Sequence, residues 1–300
     1  MVGCICGVEV NGAVLTLLRR LGVELGLPFN PAGSEVRPCR AGQLYRVDLG
    51  GRPFALKLYD EGYHNELTFH QAVAGTGIPV ARIHACGDAP GEVDRPWILR
   101  DWVAGDHHFS DLPAVARQVG ALLRRIHAIP VEGAGGRTAT GWQFRDWAEL
   151  AAAEAAQDRL KVAAFDDRAA NKELYRAIVD GFERLGQAGP VPLVLLHGDL
   201  GPDNVLVEQD RVVALIDSGW FVGGPPLFDV AYVLNSRLGG AGAEALLEGY
   251  GDPALKSSAD LTLLRLYHLV GKLVYFAETG QREKFEARRE VLLALAATWR

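Results

Sequence analysis

The alternation of hydrophobic and polar residues divides the chain into a strand-rich first third and a largely helical remainder. Near the start, Leu17, Leu18 and Leu21 recur at helical spacing and predict an amphipathic helix. Runs rich in strand-forming residues then flank Gly50 and Gly51, which is typical of a β-hairpin. The segment HNELTFHQAVAGTG predicts a short helix, and the segments IPVARIHACGD and RPWILRDWV predict two further strands.

The later part of the chain alternates helical segments with one strand-rich motif. The connector WVAGDHHFSDLP is rich in Gly, Pro and polar residues, so we expect an N-terminal lobe of residues 1–103 and a C-terminal lobe of residues 104–300. Alanine-rich segments predict helices over 145–164 and 171–186. Two apolar runs follow, LVLLHGDLGPDNVLV and VVALID, and two or three helices are expected to finish the chain.

The composition is that of a globular protein. Of the 300 residues, 49% are hydrophobic and 23% are charged. Arg265 and Lys272 interrupt the most hydrophobic helix, and the amino terminus lacks the features of a secretory signal, so we expect no membrane span and a cytoplasmic location. Cys4 and Cys6 lack a second Cys/His pair at zinc-site spacing, so we interpret them as reduced thiols and not as metal ligands.

The charge distribution bears on the partner. The net charge is −6; through Val103 the chain has 10 basic and 11 acidic residues, which leaves 21 and 26 of the 31 and 37 beyond it. This acidic excess disfavours nucleic acid and favours a cationic partner. A solvated acidic face explains the same excess without any ligand.

Three oxygen-bearing side chains stand where the two apolar runs end. Asp199 and Asn204 interrupt the first run, and Asp217 closes the second. Such hard oxygen donors are the ligands that Mg²⁺ takes, and phosphoryl transfer needs little more than a cation, a residue aligning the nucleophile and a positive group on the phosphates. Either Asp199 or Asn204 alone is equally explained as a loop residue that binds backbone amides.

The segment HGDLGPDN matches the His-x-Asp-x-x-x-x-Asn catalytic loop of kinases, and VVALID matches the metal-binding segment that follows it. With Gly after His, and Ile-Asp in place of Asp-Phe-Gly, the sequence resembles the aminoglycoside phosphotransferase family, also called the phosphotransferase enzyme family. The resemblance runs from about residue 35 to the end. It implies an α+β, bilobal, protein-kinase-like fold with a small β-rich N-lobe and a larger, mostly helical C-lobe.

The resemblance also implies roles for individual residues. Asp199 would be the catalytic residue that orients the acceptor hydroxyl and takes its proton, and Asn204 and Asp217 would hold Mg²⁺. Lys57 in FALKLY would contact the nucleotide phosphates. Glu66 would hold that lysine by an ion pair, with the nearby Glu61 as the alternative partner.

Further positions match in the order of the family. The segment WILRDWVAG resembles the hinge between the lobes, so backbone groups of Asp101 and Val103 would meet the nucleobase. His197 would be structural and braced against the backbone. Asp229 in FDVAYVL would support the catalytic loop or simply cap its helix.

The sequence departs from the family at three places. Ser218 stands where an aromatic residue often follows the metal-binding Asp, and Pro225 stands where an acid often precedes the last Asp. These two departures put the shape of the acceptor site in doubt more than the catalysis. The segment RPCRAGQLYRV, around Gly42, lacks the Gly-x-Gly-x-x-Gly pattern of a phosphate-covering loop.

The resemblance implies a kinase that transfers the γ-phosphate of ATP or GTP to a hydroxyl of a small acceptor. The acidic later lobe favours a cationic acceptor of the aminoglycoside type, and hence an antibiotic-resistance enzyme. A metabolite kinase acting on choline, homoserine or a sugar is the closest alternative, and a nucleotide-binding pseudokinase that serves as a scaffold is another. We expect a monomer or a homodimer.

Overall fold

The structure is a computed structural model. It describes residues 3–5, 8–10, 12–37, 42–89, 91–164, 167–236 and 238–299. The side chains of β1 and β2, the first hairpin, lie outside the described part, so the expected reduced state of Cys4 and Cys6 is not addressed by it. Most of the phosphate-covering segment before Gly42 also lies outside the described residues.

The N-terminal part is built around one antiparallel sheet. The sheet order is β3-β4-β5-β7-β6, and every neighbouring pair runs antiparallel. The elements in chain order are β1 Gly3–Ile5, β2 Val8–Val10, α1 Gly12–Glu24, β3 Phe29–Arg37, β4 Gln43–Leu49, β5 Arg52–Leu58, α2 Tyr63–Val73, β6 Ile83–Gly87 and β7 Trp97–Asp101.

The predicted opening helix covers one face of this sheet. Leu17, Leu18 and Leu21 of α1 are fully buried in one cluster with side chains of β4 and β5, including Val47 and Leu56. Burial of an aliphatic side chain stabilises the fold by about 1.5–3 kcal/mol, so the helical stripe that the sequence displays is what fixes α1 on the sheet. The hairpin predicted around Gly50 and Gly51 is present as β4 and β5.

The sequence prediction missed strand β3. Pro31 lies inside this strand, where a proline is unfavourable unless its position lacks a partner strand. Because β3 is at the edge of the sheet and its pairing with β4 is interrupted between Asn30 and Glu35, a residue without an N–H donor costs no central hydrogen bond.

The C-terminal part is mostly helical. It has two small sheets, β11-β12 and β10-β13-β8-β9, set among the helices. The elements are α3 Leu112–Ile126, β8 Ala134–Thr138, β9 Gly141–Phe144, α4 Trp147–Ala164, α5 Ala169–Gln187, β10 Val194–Leu195, β11 Val205–Glu208, β12 Arg211–Leu215, β13 Gly223–Gly224, α6 Pro226–Leu234, α7 Gly239–Tyr250, α8 Ala259–Glu278 and α9 Arg282–Ala296, with 3-10 turns Pro202–Asn204 and Pro253–Ser257.

Two or three helices were expected to finish the chain, and the described residues there form four, α6 to α9. The sequence of α7, GGAGAEALLEGY, is rich in glycine. The structure gives a packing reason for that composition. A Cβ atom at Gly249 would overlap the carbonyl oxygen of Arg117 on α3, and one at Gly120 of α3 would overlap the carbonyl oxygen of Leu246. Glycine on both helices therefore lets α3 and α7 approach closely, which offsets its poor helix propensity.

The structure confirms the fold class expected from the sequence, an antiparallel N-lobe sheet followed by a mainly helical C-lobe. The connector after β7 is held to the later lobe by a pair of backbone hydrogen bonds between Asp106 and Val207, of 3.1 and 2.9 Å. Within the described ranges, none of the helices combines the length and apolar character needed to cross a membrane.

Candidate active site

Lys57 and Glu66 meet in the interior of the N-lobe. Lys57 Nζ on β5 lies 3.2 Å from Glu66 Oε2 on α2, and the two residues are only 6% and 1% exposed. Glu61, the alternative partner, is exposed at the surface. The structure therefore brings together the two residues that the sequence pairs, and a lysine inside an apolar strand has the acidic partner that its burial requires.

Arg100 is a member of this site that the sequence analysis missed. It lies on β7, is 5% exposed, and its NH1 group contacts Glu66 Oε1 at hydrogen-bonding distance. Its NH2 group lies 3.3 Å from Asp217 Oδ1. The available signal was a charged residue inside the otherwise apolar strand WILRD, because such a residue is seldom buried without a partner.

The four charged groups Lys57, Arg100, Glu66 and Asp217 form one network across the two lobes. Lys57 Nζ also reaches Asp217 Oδ1 at 2.8 Å. Burial by itself lowers the pKa of Lys57 and of Arg100, but Glu66 and Asp217 reverse this, and both pKa values are raised. Burial would raise the pKa of Glu66, whereas Arg100 and Lys57 together bring it below its ordinary value. All three therefore stay charged.

Asp217 follows the end of β12 in an unusual backbone conformation. Its φ is +54°, a left-handed value that costs free energy for a residue with a Cβ atom. The conformation turns its carboxylate toward the two cations of the N-lobe, yet the side chain is still 41% exposed. Oδ1 of the carboxylate is thus held by the two cations, while the rest of the side chain is partly exposed.

Asn204 lies beside Asp217 because β11 and β12 pair at this end. Val205 is opposite Leu215, and the amide of Ile216 donates to the carbonyl of Asn204 at 3.0 Å. Asn204 Nδ2 donates to the carbonyl of Asp199 at 2.7 Å and to its Oδ2 at 3.1 Å, which leaves Asn204 Oδ1 available as a ligand. An amide oxygen beside a partly exposed carboxylate fits a hard cation such as Mg²⁺.

In the described ranges, no three or more His, Cys, Asp or Glu side chains group together as a possible metal site. The site offers one amide oxygen and one carboxylate. Such a small set suits Mg²⁺, which takes its remaining oxygen ligands from phosphates and water.

Asp229 fixes the loop that carries Asp199. Its carboxylate accepts hydrogen bonds from the amides of His197, at 2.7 Å, and Gly198, at 3.1 Å, and lies 3.3 Å from Nε2 of His127. Burial opposes ionisation of Asp229, but the hydrogen bond from His127 and the nearby charges keep its pKa below the ordinary value. Asp229 lies in the first turn of α6. Its carboxylate accepts from the amides of the loop at His197 and Gly198, which fits support of that loop and not capping of its own helix.

Gly198 is required by the geometry of this loop. Its φ is +77°, and a Cβ atom would overlap the carbonyl oxygen of Phe221. The residue after His197 must therefore be glycine for the loop to pass between α6 and the chain that follows Asp217.

His197 is fully buried, and its main chain is bound on both sides. Besides the bond to Asp229, its carbonyl accepts from the amide of Gly219 at 2.7 Å. The ring packs edge-on against Phe69, and its two nitrogens have no hydrogen-bond partner among the described residues. Burial lowers the pKa of His197, so the ring is neutral and is not placed to take a proton from a substrate.

Tyr232 touches the proposed catalytic carboxylate. Its hydroxyl donates to Asp199 Oδ1, and burial together with Asp199 raises the pKa of this phenol, so it remains a donor. The sequence analysis did not single out Tyr232. The signal was its position in the helix PLFDVAYVL, three residues after Asp229 and therefore on the same helix face.

The hinge residues differ in what their backbone groups can offer. The amide of Asp101 donates to the carbonyl of Arg82 at 2.9 Å, and its carboxylate lies 2.8 Å from Nε2 of His84. The amide of Val103 has no acceptor in the described part of the chain. A nucleobase can therefore be met by the N–H of Val103, whereas Asp101 has only its carbonyl to contribute.

The departures from the family pattern lie beside this site. Ser218 Oγ is buried without a hydrogen-bond partner among the described residues, and Pro225 is the N-cap residue directly before α6. Trp220, two residues after Ser218, is 62% exposed.

A comparison with protein-family models matches the Phosphotransferase enzyme family over residues 37–267. This match confirms the resemblance that the catalytic-loop motif indicated. A curated relative, the homoserine kinase of Methylobacillus flagellatus, is 28% identical over 198 residues, which is 64% of this chain. The matched region spans 59% of the relative's length.

Solved structures share the fold. The crystal structure of the aminoglycoside phosphotransferase APH(4)-Ia has a TM-score of 0.74 at 18% identity, covering 94% of this chain and 97% of that chain. A ternary complex of a variant of it with ADP and hygromycin B has a TM-score of 0.72, with 18% identity, 93% and 97% coverage. The GDP and kanamycin complex of APH(2")-IIia has a TM-score of 0.65, with 15% identity, 95% and 98% coverage.

Proposed function

Because the chain belongs to the phosphotransferase enzyme family, we propose that it transfers the γ-phosphate of ATP or GTP to a hydroxyl group of a small molecule. The observation that carries the proposal is that Asp217 joins two sets of contacts. It pairs with Lys57 and Arg100, the two cations that also contact Glu66, and it lies beside Asn204, which donates to Asp199. The proposed hinge begins at the end of β7, the strand that carries Arg100.

Separate residues bind the nucleotide and the metal ion. Lys57, held by Glu66, binds the phosphates, and the N–H of Val103 binds the nucleobase. Asn204 and Asp217 hold Mg²⁺, which supplies positive charge to the phosphates when bound. GDP and ADP complexes of solved neighbours support a purine nucleotide as co-substrate without deciding between ATP and GTP.

Asp199 acts on the acceptor. Its carboxylate orients the acceptor hydroxyl and takes the proton as the hydroxyl oxygen bonds to the γ-phosphorus, while the bond from that phosphorus to the bridging oxygen breaks and releases the nucleoside diphosphate. Tyr232 and Asn204 each donate to one oxygen of Asp199 and so fix the carboxylate in place. Phosphoryl transfer depends on such positioning together with electrostatic stabilisation of the transferred group.

The acceptor is either an antibiotic or a metabolite. The hygromycin and kanamycin complexes of solved neighbours support the first class, and the homoserine kinase of Methylobacillus flagellatus supports the second. Minimum inhibitory concentrations of aminoglycosides, hygromycin and macrolides in cells with and without the gene separate the two. Absence of any protection would remove the resistance function and leave phosphoryl transfer standing.

The enzymatic activity is tested directly by mass spectrometry. Purified protein with Mg²⁺ and ATP or GTP is mixed with a panel of hydroxylated amines, amino acids and sugars, and each acceptor is examined for the added mass of one phosphoryl group. A product that forms with the wild type and not with Asp199→Asn supports the proposal. If Mg²⁺-nucleotide binds but no member of the panel is phosphorylated, a scaffold without catalysis becomes the better description.

A further inference from the structure

A half-buried lysine without an acidic partner lies beside the proposed catalytic acid. Lys272 on α8 has its Nζ 4.5 Å from the ring centroid of Tyr232, the residue whose hydroxyl donates to Asp199. In the described part of the chain, the ammonium makes neither a hydrogen bond nor an ion pair. An aromatic face stabilises a cation by about 0.5–2 kcal/mol but accepts none of its three N–H bonds in the way an oxygen does.

Two arginines extend the positive charge around the end of α6. Arg265 precedes Lys272 by two helical turns and therefore lies on the same face of α8, and its Nε is 3.4 Å from Oδ1 of Asn235. Arg288 of α9 donates from NH1 to the carbonyl of Asn235 at 2.9 Å. Across the described residues, Arg265 has no carboxylate within ion-pair distance. Lys272, Arg265 and Arg288 thus place three positive charges around α6, the helix that carries Tyr232, although the C-lobe is acidic as a whole.

Burial makes the charged form of Lys272 less favourable than it would be in water. Burial lowers its pKa, Arg288 lowers it further, and Asp199 raises it, with a net value of about 8. Partial burial of a cation without a matching carboxylate destabilises a fold, so such a group is more often found where a ligand completes the pair. Asp199 is itself bonded to Tyr232 and Asn204, and Lys272 lies over the ring of the same tyrosine.

We propose that Lys272 binds a carboxylate group of the acceptor, so that the acceptor is a small hydroxylated acid and not a polycationic antibiotic. The inference rests on the proposed function and specifies its substrate class. The acceptor hydroxyl has to reach Asp199 while the carboxylate reaches Lys272. Because Tyr232 contacts Lys272 with its ring face and Asp199 with its hydroxyl, a compact molecule with the hydroxyl a few bonds from the acid is the best match.

The experiment measures binding, so that it does not depend on turnover. Short hydroxy acids, hydroxylated amino acids included, and the methyl ester of each are titrated by calorimetry into the protein saturated with ADP and Mg²⁺. The wild type is expected to bind the acids about 10- to 100-fold more tightly than the esters, the range of one hydrogen bond to a charged group. Lys272→Met should abolish this preference, and Lys272→Arg should keep most of it.

A matched variant removes the same charge elsewhere. Lys284→Met, on the exposed side of the adjoining helix α9, should bind acids and esters as the wild type does. The proposal is overturned if esters bind as well as acids, if Lys272→Met leaves the preference intact, or if no hydroxy acid binds at all.

The assay also separates this inference from the proposed function. Phosphorylation of cationic acceptors at a rate that Lys272→Met does not change would refute the inference and leave the kinase activity standing. Lys272-dependent binding of hydroxy acids without any phosphorylated product would support the acid site and refute the transfer reaction.

Discussion

On the N-lobe side of the cleft, each cation of the buried network faces an anion, since Lys57 and Arg100 both contact Glu66 and Asp217. On the other side, Lys272 faces an aromatic ring and, within the described chain, has no carboxylate in contact. The first arrangement is complete without a ligand, whereas the second gains a partner only when one binds.

This difference separates what is common to the reaction from what is particular to the acceptor. Paired buried charges fix side chains in one geometry, which suits groups that must receive any Mg²⁺-nucleotide in the same way. An unpaired cation leaves binding free energy to be gained from a ligand of opposite charge. The mutational predictions below test the two sides one at a time, in order of decreasing effect, and a prediction on pH then covers both.

Replacing Asp199 should give the largest effect. Asp199→Asn keeps the shape of the side chain but removes the proton acceptor, so kcat should fall by about 10²- to 10⁴-fold while the affinity for nucleotide, measured by calorimetry, stays near that of the wild type. Asp203→Asn makes the same change in the same loop at an exposed residue and should leave kcat unchanged. Retention of most of the rate by Asp199→Asn would remove its assigned role.

Removing Arg100 should test the charge balance of the N-lobe network. Arg100→Met leaves the buried Glu66 with Lys57 alone as a close cation, and loss of one member of a buried ion pair lowers the free energy of unfolding by about 3 kcal/mol. Arg100→Lys should lose less, and Arg20→Met, which breaks an exposed pair, less than about 1 kcal/mol. Urea denaturation measures all three. Equal stability of Arg100→Met and the wild type would show that the network is not balanced by Arg100.

Tyr232→Phe should have a smaller effect that is confined to the acceptor side. The variant loses one hydrogen bond to a charged carboxylate, so kcat should fall roughly tenfold, with the nucleotide KM unchanged. Tyr275→Phe, on the exposed face of α8, is the matched control. A rise in the nucleotide KM that equals the fall in kcat would mean that the two sides are not separable.

Acid should weaken the fold gradually on both sides of the cleft. Burial lowers the pKa of His70, near Glu66, and of His268, behind Tyr232, to about 4 each. Between the ordinary pKa of 6.5 and about 4, the unfolded chain therefore binds more protons than the folded one, and the free energy of unfolding falls as the pH falls, by at most about 3 kcal/mol per histidine. Above pH 6.5 this contribution is complete.

Denaturation with urea across this range checks the sign. His268→Gln keeps a donor for the carbonyl of Phe228 and should flatten the dependence on pH, as should His70→Gln. Stability that rises on acidification would contradict the assignment of both rings as neutral in the folded state.

The parts of the site that lie in one continuous motif were predictable from the sequence. HGDLGPDN points to Asp199 and Asn204 through its resemblance to the catalytic loop of kinases, and Lys57 and Glu66 were paired because they follow the order of the family. Arg100 was missed because its partners Glu66 and Asp217 are far from it in the sequence, and only the folded sheet brings their side chains together.

For the acceptor, the sequence and the structure offer different signals. The acidic excess of the later lobe suggested a cationic acceptor, and acids such as Asp180 and Glu183, which contribute to that excess, pair with Arg159. Lys272 contributed to the sequence analysis only as an interruption of a hydrophobic helix. Net charge sums over a whole surface, whereas recognition depends on the few groups that face the ligand.

The contacts of Asp217 have a consequence for how a nucleotide enters. Lys57 and Arg100 belong to the N-lobe and Asp217 to the other, so the three side chains form an ionic latch between the lobes. For Asp217 to hold Mg²⁺, its carboxylate has to give up or share its contacts with Lys57 and Arg100. Because Asp217 is partly exposed, dissolved salt weakens the latch. Stopped-flow measurements should therefore find that nucleotide entry speeds up with ionic strength, the reverse of what attraction between a basic cleft and a phosphate tail alone would produce.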